Sequence, residues 1–130
     1  MPELYIAVYQ PIEGNHYHWA LFLDCKNPRV YEVAGSHPNF FRNVLQTRPQ
    51  RSNRFRINVK VADVNDQDLG GIDDFMKRQE VANDTALWNC QDYVIEALET
   101  LCQECLIDED DEVYQEGIDE AKRKYYGPLI

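Results

Sequence analysis

From Arg54 to Val61 the chain reads Arg-Phe-Arg-Ile-Asn-Val-Lys-Val, polar and apolar residues in strict alternation. Successive side chains of an extended chain point to opposite faces, so Phe55, Ile57, Val59 and Val61 share one face. Arg54, Arg56, Asn58 and Lys60 share the other. A half-exposed strand of this kind needs hydrogen-bonding neighbours and a covering layer on its apolar side. Neighbours are available earlier in the chain. Leu4 to Tyr9 is β-branched and aromatic, the composition of a buried strand. His18 to Leu23 is apolar on both faces, which predicts a central strand, and Arg29 to Ala34 is a third strand ended by Gly35-Ser36. Pro11, Gly14 and Asn15 mark one turn and Asp24 to Pro28 another, short enough to make the second and third strands antiparallel neighbours.

The covering layer comes from the second half. Leu69, Ile72, Phe75 and Met76 recur at helical spacing within 66–79, despite Gly70-Gly71. Tyr93, Val94, Ala97, Leu98 and Leu101 form an amphipathic stripe in a helix that opens at Cys90. Asn89 is its N-cap and Asp92 lies in the first turn. A short terminal helix is expected over 118–126, and residues 37–54 read as a polar, irregular connection. The acidic run 108–112 lacks the alternating ligand spacing and central glycine of a calcium loop and reads as a solvated linker. No repeat or linker divides the chain. These signals predict one α+β domain over 1–130: a small antiparallel sheet of four to six strands flanked by helices.

Charge divides the sequence unevenly. Residues 1–60 carry eight Lys/Arg against four Asp/Glu, and residues 61–130 five against nineteen, for a net charge of −10. General nucleic-acid binding is not expected from so acidic a chain, because it depends on phosphate neutralisation by Lys and Arg. No apolar run is long enough to span a bilayer. The beginning of the sequence lacks the basic and apolar regions of a secretory signal, which points to the cytoplasm. In that compartment Cys25, Cys90, Cys102 and Cys105 are expected as thiols. Cys102-x-x-Cys105 has no second ligand pair to complete a zinc site, so neither metal nor cofactor is expected.

A cysteine as the first residue of a helix has unusual chemistry available to it. Free backbone N–H groups and the positive end of the helix dipole favour the thiolate, which is the nucleophile, and the same N–H groups can hold an oxyanion. Cys90 is therefore the candidate nucleophile, against the plainer reading of a small packed residue. A base must come from His16, His18 or His37. His18, at the start of its strand, is preferred, with His16 and His37 as alternatives. Glu32 is an acid within an otherwise apolar strand and would orient the imidazole if its strand pairs with that of His18. Asn89, Tyr9, Gln10 and Tyr17 are the candidates for oxyanion or positioning contacts.

The segments His18-Trp19-Ala20-Leu21-Phe22-Leu23 and Asn89-Cys90-Gln91-Asp92-Tyr93-Val94 resemble the circularly permuted NlpC/P60-type thiol proteins. Within that superfamily they are most similar to the lecithin–retinol acyltransferase-like branch, which carries His-Trp-Ala on an early strand and Asn-Cys at the start of a late helix. The resemblance implies a papain-like fold and a thioester on Cys90, leading to acyl transfer or to hydrolysis of an amide or ester. That branch uses a second histidine where this chain has Glu32, and its lipid-acting members tend to end in a hydrophobic anchor. A phospholipid substrate is therefore not expected.

Six of the thirteen basic residues, Arg42, Arg48, Arg51, Arg54, Arg56 and Lys60, fall within nineteen positions. Balance against the acidic half accounts for them; the functional alternative is that Arg54, Arg56 and Lys60 bind an anionic part of a small-molecule or peptide acyl donor. Aminoacyl-tRNA stays open as such a donor. Trp19, next to His18, and Trp88, two residues before Cys90, are further substrate-binding candidates. Peptidase or deamidase activity competes with acyl transfer, and a non-catalytic protein-interaction domain that keeps the fold is the rival outside the enzyme class.

Overall fold

The structure, a computed structural model, describes residues 1–12 and 14–129. Five strands form one antiparallel sheet: β1 (Glu3–Tyr9), β2 (His18–Asp24), β3 (Arg29–Ala34), β4 (Phe41–Leu45) and β5 (Phe55–Asp63). Three α-helices follow, α1 (Leu69–Arg78), α2 (Cys90–Gln103) and α3 (Glu112–Tyr125). The fold is α+β, as the sequence predicts. The strand order is β4-β3-β2-β1-β5, which puts β2 in the middle. Burial on both faces of β2 follows from that position, because its side chains meet the helices on one side and the sheet's own aromatic residues on the other.

The principal core lies between sheet and helices. Leu4, Ile6 and Val8 of β1, Trp19, Leu21 and Leu23 of β2, and Tyr31 and Val33 of β3 project into it. From the helices come Ile72 and Met76 of α1 and Tyr93, Val94, Ala97, Leu98 and Leu101 of α2. The opposite face carries a smaller cluster of Ala7, Tyr9, Ala20, Phe22 and Val30, with Tyr5 stacked on Phe22. α3 lies against β5 at unusually short range. A Cβ on Gly117 would stand 2.2 Å from the Lys60 carbonyl oxygen, so only glycine admits this approach.

Three elements differ from the sequence expectations. Residues 41–45, read as irregular, form the edge strand β4, paired to β3 from Val30↔Leu45 to Ala34↔Phe41. Four of its five residues are exposed, so no one-sided hydrophobic pattern marks it; β3 supplies the register. β5 is bulged: Val8 pairs with Ile57 but Tyr9 pairs with Phe55. The extra residue reverses the alternation, so Phe55 meets Tyr9 on the smaller cluster rather than joining Ile57, Val59 and Val61. Finally, α3 begins at Glu112, with Asp111 accepting from the Val113 N–H as its N-cap. The end of the acidic run thus starts a helix, where carboxylates complement the N-terminal dipole.

Candidate active site

α2 begins as its sequence dictates. The Asn89 side chain accepts from the Gln91 N–H at 2.9 Å, and the Asp92 carboxylate accepts from the Asn89 N–H at 3.0 Å, closing a capping box. Cys90 is the first helical residue. Its own N–H finds no acceptor among the described residues and stays available at the helix start. The Cys90 side chain, only 4% exposed, lies beside the start of β2, within 3.9 Å of the Tyr17 carbonyl. The Trp19 N–H also acts on the sulfur.

Two imidazoles bear on this sulfur, those of His16 and His18. Burial pushes the Cys90 thiol up, but hydrogen bonding from both rings and the charge on His18 outweigh it and bring the thiol down to about 6. His18 Nε2 donates to Glu32 Oε1 at 2.7 Å, which leaves Nδ1 for the sulfur. Burial opposes the charge on His18 too, and the hydrogen bonds and charges of Cys90 and Glu32 overcome it, raising the imidazole to about 9. Partial burial pushes the Glu32 carboxyl up, but His18 and Asn43, whose Nδ2 donates to Oε2 at 2.8 Å, hold it below its ordinary range. Between those values the favoured state is a thiolate beside an imidazolium.

The group opens on a cavity of about 500 Å³, walled largely by apolar side chains that include Ile12, Val33, Phe40, Leu87 and Trp88. His16, His18, Glu32, His37 and Cys90 contribute the polar part of the lining. His37 reaches the cavity from the segment after β3. Trp88 forms a wall and donates its indole N–H to Glu96 at 2.9 Å.

The other candidates fall elsewhere. Trp19 is fully buried in the core, its Nε1 donating to the Tyr125 carbonyl at 3.2 Å, so its ring is structural. Arg54 donates to the Pro11 carbonyl at 2.7 Å, Arg56 lies over the rings of Tyr17 and Tyr125, and Lys60 pairs with Glu3 and Asp63. None of the three lines the cavity. The β5 bulge and nearby internal partners absorb these cations, which accords with the intramolecular reading of the basic series rather than with its alternative, a site for an anionic donor. Among the oxyanion candidates, Asn89 is engaged in the helix cap, Gln10 is exposed with its backbone bonded to Arg54, and Tyr17 packs its ring on Tyr125. Tyr9 lies under His18, ring centroids 5.4 Å apart, and buttresses the imidazole.

Sequence reasoning missed two contributors outright. Asn43 belongs to the unrecognised edge strand. Gln91 is fully buried and reads in sequence as an ordinary polar helix residue. Its Nε2 donates to the carbonyls of Tyr17 (2.9 Å) and Tyr125 (3.1 Å), while its Oε1 accepts from the Gly127 N–H at 2.9 Å. One amide thus ties the cysteine helix to the approach of β2 and to the end of α3. The only sequence signal is an uncharged polar residue on the apolar stripe beside the cysteine.

The sheet, the capped helix and the cavity that Cys90 shares with His16, His18 and Glu32 define an α+β protein with a candidate thiol–imidazole–carboxylate site. The chain belongs to the family of unknown function DUF6540, whose model matches residues 4–108 and so reaches from β1 past the end of α2. No curated protein and no solved structure matches it. None of its described helices is long and apolar enough to cross a membrane.

Proposed function

We propose that the protein is a cysteine-dependent acyltransferase or hydrolase of permuted NlpC/P60-like type, working through a thioester on Cys90. The observation that carries this reading is that Cys90, at the start of α2, shares one cavity with a His18 imidazole anchored by Glu32 at 2.7 Å; the lowered Cys90 thiol supports it. Histidine on β2, carboxylate on β3 and cysteine at the start of α2 also follow the chain order of the family that the sequence resembles.

In this mechanism the Cys90 thiolate attacks the acyl carbonyl carbon. A C–S bond forms and the carbonyl π pair moves to oxygen, beside the free Cys90 N–H. The tetrahedral species collapses, the carbonyl re-forms, and the bond to the leaving group breaks. The leaving amine or alcohol takes the proton from the His18 imidazolium. Water or an amine then attacks the thioester as neutral His18 removes its proton, and Cys90 departs as thiolate. Glu32 keeps the imidazole oriented and stabilises its charge through both protonation states.

The cavity supports an uncharged, apolar acyl group in place of the anionic donor considered from the sequence. Its wall includes Leu87, which is 93% exposed and held at φ 65°, a conformation that costs leucine about 1–2 kcal/mol. A strained, solvent-facing leucine at the mouth of a cavity accords with a contact made only when substrate is bound. The reading requires a free Cys90 thiol, as in a reducing cytoplasm, and Cys90 is free.

The test is intact-mass analysis after incubation with short-chain p-nitrophenyl esters and acyl thioesters. The expected result is one acyl adduct, mapped to Cys90 and absent from Cys90→Ala. Adducts elsewhere, or turnover retained in Cys90→Ala, would overturn the assignment. Adding an amine acceptor separates transfer from hydrolysis by the product released.

A further inference from the structure

We infer that His16 is a catalytic residue, the side-chain donor that holds the carbonyl oxygen of the acyl group as it turns into an oxyanion on Cys90. The inference rests on the thioester reading above. An oxyanion site needs donors fixed beside the nucleophile and facing the substrate. The Cys90 N–H is one; of the neighbouring backbone donors, the Gln91 and Asp92 N–H groups are consumed by the Asn89 cap and the Trp19 N–H is directed at the sulfur itself. The side chains of Asn89, Tyr9, Gln10 and Tyr17 are committed or turned away, as described above. His18 already spends Nε2 on Glu32 and the other nitrogen on the sulfur. His16 lines the cavity next to Cys90 and is the one remaining imidazole that also acts on the sulfur.

The fold holds His16 there from both sides. Gly14, at φ +76°, lies against its ring: a Cβ at that position would come within 3.1 Å of Cε1 and 3.3 Å of Nδ1. Asn15 is clamped twice by the C-terminal segment, its carbonyl accepting from the Leu129 N–H at 2.8 Å and its Nδ2 donating to the Leu129 carbonyl at 2.5 Å. That segment is in turn pinned to α2 through Gln91 and Gly127. A loop residue fastened in this way has the pre-organisation that oxyanion stabilisation demands. The hydrogen bond with Cys90 raises the His16 imidazole, which favours the ring as a charged donor.

In the reaction the sulfur–carbon bond forms, the π pair moves to the carbonyl oxygen, and His16 donates a hydrogen bond to it without giving up its proton. When the pair returns, the bond to the leaving group breaks. With a p-nitrophenyl ester the departing group is p-nitrophenolate, which needs no proton. Alkylation of the same thiolate by iodoacetamide displaces iodide at a saturated carbon and develops no oxyanion. The ratio of the two rates therefore isolates the effect on the oxyanion from any effect on the thiol.

The experiment measures both rates on the full chain of the wild type, His16→Ala and His16→Gln, using p-nitrophenyl acetate and iodoacetamide at one pH. The ratio of acylation to alkylation should fall about a hundredfold in His16→Ala. His16→Gln, which keeps an N–H donor, should recover at least about tenfold of that loss. An unchanged ratio would show that His16 acts only on the thiol and would overturn the proposal, as would Gln performing no better than Ala. A wild-type Cys90 that alkylates but never acylates would instead sink the thioester reading, and the oxyanion role with it.

Discussion

Glu32 and His18 come from neighbouring strands, and their side chains meet at 2.7 Å on the sheet face opposite the principal core. The β2–β3 register, in which Leu21 pairs with Tyr31 and Phe22 with Val30, sets Glu32 beside Ala20, so that its carboxylate reaches His18 on the diagonal, two residues along β2. Asn43, one strand further out at Glu32↔Asn43, holds the second carboxylate oxygen. Three adjacent strands thus share one polar line, and its His18–Glu32 part lines the same cavity as Cys90. Glu32→Gln should leave the fold intact and lower the basicity of His18. The pH midpoint for alkylation of Cys90 should then move up by about one unit, because the thiolate loses much of its counter-charge. Iodoacetamide labelling followed across pH, with peptide mapping, checks it; an unmoved midpoint would remove Glu32 from the site.

For the wild type the same experiment should show Cys90 labelling rising through about pH 6, ahead of the other three thiols. Turnover of an unactivated ester or amide should rise on that limb and fall again through about pH 9, where His18 loses the proton that the leaving group needs. Unfolding does not account for these limbs. A raised His18 contributes stability that is fully present below its unfolded value of 6.5 and lost as pH rises through about 9. A depressed Cys90 contributes stability present above its unfolded value of 9.0 and lost as pH falls through about 6. From 6.5 to 9 the two slopes oppose each other, so urea denaturation should give a near-constant contribution from the pair across that range.

Leu87 offers a separation of stability from function. Asparagine tolerates positive φ better than leucine, so Leu87→Asn should preserve or slightly raise the melting temperature. Acylation by a longer p-nitrophenyl ester such as the butyrate should weaken relative to the acetate, since the variant removes an apolar wall of the cavity. Equal losses with both esters would argue that Leu87 does not contact the acyl chain.

Gly117→Ala tests the packing of α3. With a Cβ only 2.2 Å from the Lys60 carbonyl, helix and strand must separate, at a cost of about 1–3 kcal/mol or more. Chemical denaturation should report that loss, while the folded fraction keeps the wild-type rate of Cys90 alkylation. A neutral substitution would mean that α3 is free to shift away from β5.

Gln91→Ala should be more damaging than its place next to the cysteine suggests. The change strands the carbonyls of Tyr17 and Tyr125 and the N–H of Gly127 in partly buried surroundings, each a loss of about 1–3 kcal/mol where water cannot enter. Denaturation should show the destabilisation, and Cys90 labelling should lose its selectivity as β2 and α2 drift apart. Retained selectivity at wild-type stability would contradict the clamp.

The sequence alone determined the parts governed by local periodicity and capping. The alternation in β5, the apolar runs of β1 to β3 and the Asn89–Asp92 cap that opens α2 at Cys90 were all legible, because each is set by neighbours a few residues away. Local pattern also made Cys90, His18 and Glu32 candidates. Only the tertiary structure decided which groups meet. The edge strand β4 takes its register from β3, so Asn43 had no signal of its own, and a single bulge turned Phe55 and Arg56 away from their expected faces. Gln91, the Asn15–Leu129 clamp and the two imidazoles at one sulfur join segments more than seventy residues apart. Such contacts depend on how helices settle on a twisted sheet, a choice made by the summed packing of the whole core and not by any stretch of chain on its own.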